Sequence, residues 1–120
     1  MTTPPGWPKE IPPPEAEGWE AEAIGCLLDV GPSHFRLDSF LPSQPVVLAR
    51  RVVEHLEAEV QASRKAWVPL ASWESAGLPA EAHEPVLTML RWVGPVLVAR
   101  QHSAELIRDA LTGRRWVPRL

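Results

Sequence analysis

Apolar residues recur in alternating steps of three and four at Val46, Ala49, Val53, Leu56, Val60, Ser63, Trp67 and Leu70, which keeps one helix face apolar for several turns. A second stripe, Val86, Leu90, Val93, Leu97, Arg100, Ala104, Ile107 and Leu111, follows the turn residues Gly77, Leu78 and Pro79. Together they predict an all-α protein built on one long antiparallel helical hairpin. Pairing Val46 with Leu111 centres the turn between Leu78 and Pro79, where the stop signals fall. In that register Leu56 is level with Gln101, Val60 with Leu97 and Trp67 with Leu90. Arg100 interrupts the second stripe. An arginine there takes a carboxylate, with Glu54, Glu57 or Glu59 available, or snorkels to solvent.

Proline and glycine set the other boundaries. Residues 1–14 hold six prolines and predict an extended, polyproline-like arm, mobile and of little weight for stability, in which Trp7 and Ile11 are the large apolar side chains. A single helical domain follows over residues 15–113. Its first helix is expected from Glu15 to Gly31-Pro32, with acidic residues at the positive end of the helix dipole and an apolar face of Trp19, Ala23, Cys26, Leu27 and Val30. The connection from Gly31 to Ser43 is long, and Phe35, Leu37, Phe40 and Leu41 are expected to cap the core. Ser43 is the expected N-cap of the first hairpin arm, with Pro45 in its first turn. Pro69 should kink or break that arm near Ala66, Pro95 should kink the second arm, and Gly113 should end it. The first helix is too short to cover the hairpin and sits near its open end. The turn end, with Trp67, Leu70, Trp73, Met89 and Trp92, is thereby left short of an intrachain cover.

Composition narrows the classes without choosing among them. With 45% hydrophobic and 22% charged residues the chain is neither disordered nor membrane-embedded, and the apolar run Trp92–Ala99 is short and broken by Gly94 and Pro95. A net charge of −3 argues against binding nucleic acid over the whole surface. The single cysteine, Cys26, allows no intramolecular disulfide. The first residues lack the charged and apolar regions of a secretory signal, so a cytoplasmic site is expected.

No catalytic, cofactor or metal pattern emerges. His55 and His102 come level in the hairpin with Glu59 nearby, but His102 points away from the first arm by helical geometry. Cys26 sits on an apolar face, where a thiol is inert. Ser33, His34 and Asp29 are the residue types of a triad without its convergent geometry. The basic tail, residues 114–120, interleaves Arg114, Arg115 and Arg119 with Trp116, and Arg50, Arg51 and Arg108 come to the same end of the hairpin. That cluster could meet phosphates, although Trp116, Val117 and Leu120 alternate as a docking segment would.

The segments Pro12-Pro13, Gly18-Trp19-Glu20, Ala23, Leu27-Leu28-Asp29, Phe35-Arg36, Pro45-Val46-Val47-Leu48-Ala49-Arg50 and Gly113-Arg114-Arg115-Trp116-Val117-Pro118-Arg119-Leu120 resemble a group of small uncharacterised actinobacterial helical-hairpin proteins. Pro69, Pro95 and the tryptophans of the turn end depart from that pattern. The resemblance implies a bacterial cytoplasmic setting and a C-terminal tail that belongs to the fold, and it brings no activity or ligand. The expected function is a non-catalytic protein-protein interaction or assembly module, a homodimer through the turn end or a complex with another protein. The alternative is a nucleic-acid or ribonucleoprotein accessory protein using the basic end.

Overall fold

A computed structural model describes residues 3–37, 39–67 and 70–113. Helix occupies 73% of these residues and none lies in a strand. The elements are α1 (Trp19–Val30), a 3₁₀ turn (Ser33–Arg36), α2 (Phe40–Ser43), α3 (Pro45–Lys65), α4 (Leu70–Ser75), a second 3₁₀ turn (Ala80–Ala82) and α5 (His83–Leu111). The radius of gyration, 17.7 Å, exceeds the roughly 14 Å of a compact chain of this length, as a long helix pair with one short cover requires.

Helices α3 and α5 form the main packing pair. Ala49, Val53, Leu56 and Val60 of the first stripe are buried, as are Leu90, Leu97, Ala104 and Ile107 of the second. A Cβ built on Gly94 would lie 3.8 Å from the Ser63 Oγ, the pairing that the Val60–Leu97 register implies. Residues of early α3, Leu48 and Val52, share a core with Ala104 and Ile107 of late α5, so the two helices run in opposite directions. Burying a side chain such as Leu48, Leu56 or Ile107 contributes about 1.5–3 kcal/mol. Arg100 is exposed, so its charge is met by water.

Local chemistry explains each boundary. Helix α3 ends at Lys65, four residues before Pro69, and the short α4 takes up the chain again from Leu70. After α4, Gly77 has φ +92°. Its N–H donates to the Glu74 carbonyl at 3.0 Å and the Leu78 N–H donates to the Trp73 carbonyl at 2.9 Å. This paired capping satisfies carbonyls that a helix end would leave open. Pro79 precedes a 3₁₀ turn rather than entering α5 directly, and Pro95 lies inside α5 without ending it. Gly113, at φ +83°, follows the last turn.

Several expectations are corrected. Helix α1 begins at Trp19, because Pro13–Ala16 closes a turn and Gly18 takes a left-handed conformation, φ +80°, incompatible with a helix running through it. Gln44, not Ser43, is the N-cap of α3. Ser43 ends α2, and its hydroxyl donates to the Phe40 carbonyl at 2.7 Å. Of the four apolar residues expected to cap the core, Phe35 is buried and Leu41 partly so, while Leu37 and Phe40 are 83% and 60% exposed. Their 3₁₀ turn and single helical turn are too short to bury both faces.

The arm is the largest correction. Trp7 and Ile11 are 7% and 5% exposed and belong to the main core with Trp19, Ala23 and Leu27. The arm is not polyproline, which carries no internal hydrogen bonds. It is a series of turns, in which the N–H groups of Trp7, Ile11 and Ala16 donate to the carbonyls of Pro4, Pro8 and Pro13. In the first turn Pro5 precedes Gly6 at φ +88°, the order that a type II turn requires. The Trp7 indole N–H then donates to the Ile11 carbonyl at 3.1 Å and the Pro12 carbonyl at 3.2 Å, and its ring packs on Trp19 at 6.1 Å. From α5, the His102 Nε2 lies 3.2 Å from the Pro5 carbonyl and the Ser103 hydroxyl donates to the Gly6 carbonyl at 3.2 Å.

Candidate functional site

Helix length decides where apolar surface remains. At about 1.5 Å per residue α1 is roughly 18 Å long against roughly 44 Å for α5, and α1, with the arm, lies against the second half of α5. The first half of α5 has no such cover. On a helix of about 100° per residue, Met89, Trp92 and Val96 continue the line that Ser103, Ile107 and Ala110 occupy beneath the arm and α1. Met89 and Trp92 are 51% and 66% exposed, and Trp67, just past the end of α3, is 47% exposed.

Trp73 does not join them. Past the break after Lys65, the Gly77 cap turns α4 back on the start of α5, and Trp73 packs edge-on to the His83 ring at 5.8 Å, only 8% exposed. The His83 Nε2 in that contact is buried and finds no hydrogen-bond partner among the described residues. Trp73 is therefore an anchor of the turn and not part of its outer surface. The side chain of Leu70 lies outside the described residues, as do Arg114, Arg115, Trp116 and Arg119 of the tail.

The charged groups around the exposed aromatics are of both signs. Glu84 and Arg91 approach to 3.9 Å on α5, and Lys65 ends α3. At the open end Arg51 pairs with Glu54 at 3.0 Å and Arg108 with Asp109 at 3.3 Å. Arg50 is exposed. Two of the three arginines expected to gather there thus already face carboxylates.

Two depressions border the α3/α5 pair, and neither was indicated by periodicity. One, of about 340 Å³, is polar and lies between Glu57, Gln61 and Arg64 of α3 and Gln101, His102 and Glu105 of α5. The other, of about 180 Å³, is apolar and lies where α1, the arm and α5 meet, between Cys26, Val30, Pro8, Ala99, Arg100 and Ile107. The Cys26 thiol is pushed up from its ordinary value, first by burial and then by the carboxylates of Glu10 and Asp29. That disfavours the thiolate and hence nucleophilic work. His55 is paired with Glu59 on α3, and His102 is held on the arm. Among the described residues no three His, Cys, Asp or Glu side chains gather as metal ligands, and no helix is long and apolar enough to cross a membrane.

Compared with protein-family models, curated proteins and solved structures, the chain matches none.

Proposed function

We propose that this chain is a non-catalytic protein-protein interaction module, and that it self-associates through the turn end of the hairpin. The observation that carries the reading is the joint exposure of Trp67, just past the end of α3, and of Met89 and Trp92 on the stretch of α5 that α1 does not reach. Large exposed aromatics of this kind mark contact surfaces, and tryptophan is among the residues that dominate binding energy. A second copy suits the surface because its rim carries both Glu84 and Arg91, so two copies meet without a field of like charge. A cyclic pair would place the same patch on both sides of the contact.

The test is mass by light scattering. Trp67→Ser with Trp92→Ser should convert two chains to one, since truncating a buried aromatic anchor costs about 2 kcal/mol or more. Phe40→Ser at the open end should leave the mass unchanged. If Phe40→Ser dissociates the dimer and the tryptophan pair does not, the surface has been misplaced. Use of the basic end on nucleic acid has less support, because Arg51 and Arg108 are already paired with carboxylates. Steep salt dependence of a complex with RNA or DNA would favour it.

A further inference from the structure

The apolar cleft beneath the arm is a consequence of small residues. Ser103 and Ala104 face α5's neighbours with little volume, exposed Ala99 at the rim adds little, and on the opposite wall Cys26 and Val30 of α1 do not fill the gap. About 180 Å³ remains, closed on one side by Pro8 of the arm. Arg100 is the one charged residue among the described residues that lines it, at the position where the second apolar stripe is interrupted. Among the described residues Arg36, Arg51, Arg91 and Arg108 each face a carboxylate, and no ion pair joins Arg100 to any. The Ser103 hydroxyl is already committed to the Gly6 carbonyl.

We propose that this cleft binds a small monocarboxylate with a single-ring apolar body, the ring between α1 and α5 and the carboxylate on the Arg100 guanidinium. The size follows from volume, since an apolar cavity of about 150 Å³ accepts benzene and larger bodies need more room. The head group follows from charge and shape, because the planar guanidinium fork matches a carboxylate. The limit to one negative charge follows from Arg100, the one cation among the described residues that lines the cleft. The site lies away from Trp67 and Trp92 and is independent of self-association.

Cys26 supplies the readout. Its alkylation by iodoacetamide should be slowed several-fold by phenylacetate at up to about 10 mM, a concentration suited to a ligand of so few atoms. Phenylacetamide, neutral and of the same shape, should need roughly tenfold more for equal protection, the factor a charge-assisted bond supplies. Acetate, which lacks the ring, should give none. Arg100→Gln should erase the preference for phenylacetate over phenylacetamide while leaving the melting temperature unchanged. Running the same series on Trp67→Ser/Trp92→Ser separates this result from the outcome for the dimer. Equal protection by the two ring compounds in the wild-type chain, or none by phenylacetate, would overturn the proposal.

Discussion

Trp7→Ala tests whether the N-terminal arm is part of the folded core. Truncating a buried tryptophan costs about 3–5 kcal/mol where the surroundings cannot relax. Trp7 sits at the edge of the core, and its arm can peel away, so the loss cannot exceed the net free energy of docking. Ordering backbone opposes docking by about 1–2 kcal/mol per residue, less at the prolines, whose φ is fixed in both states. We therefore expect about 2–3 kcal/mol, or roughly 8–12 °C in Tm at this chain length, read by thermal melts followed by far-ultraviolet dichroism. Deleting residues 1–11 should cost the same, because both changes release the arm. Gly6→Ala should loosen it as well, since a Cβ there would lie 2.5 Å from the His102 ring at φ +88°. Trp7→Phe keeps most of the packing and loses the two carbonyl contacts, about 1 kcal/mol. If Trp7→Ala and the deletion both leave Tm within about 2 °C, far below that scale, the arm carries no stability and the reasoning fails.

Gly77→Ala should lower stability by about 1 kcal/mol purely through the left-handed backbone, as nothing lies within 4 Å of the added Cβ. A denaturant titration checks it, and an unchanged midpoint would remove the capping argument. The Cys26 thiol is raised in the folded chain. Its contribution is thus fully present below the ordinary thiol range and is lost as pH rises through the higher folded-state value. Stability should fall across alkaline pH by more in the wild-type chain than in Cys26→Ala, and parallel pH profiles for the two would contradict the assignment.

The parts legible in the sequence are those governed by period and by strong breakers. The two stripes contain the α3 and α5 residues that pack on each other but not Leu48 and Val52, which are fully buried on α3, and Val46 and Arg100 of the stripes are exposed. The helix break falls just before Pro69 and the cap at Gly77, because these rest on local backbone chemistry. The arm was missed because Trp7 and Ile11 are isolated apolar residues among prolines, with no helix or strand period to score. The available signal was a spacing of four that places each at the end of a turn opened by Pro4 or Pro8. Trp73 was misassigned to the surface for a related reason. Its burial against His83 depends on α4 folding back, a tertiary event that the α3 stripe, extrapolated through Pro69, does not contain. Trp67, Met89 and Trp92 are exposed, as the difference in helix lengths implies.

Self-association through the turn end is tested most directly by sedimentation of the wild-type chain over a concentration series from about 1 to 100 μM, a range that brackets contacts worth roughly 5–8 kcal/mol. The mass should climb from the 13.3 kDa of one chain to twice that value by tens of micromolar, with no steep dependence on salt, as expected for burial of Trp67, Met89 and Trp92. A single-chain mass throughout the range would contradict it.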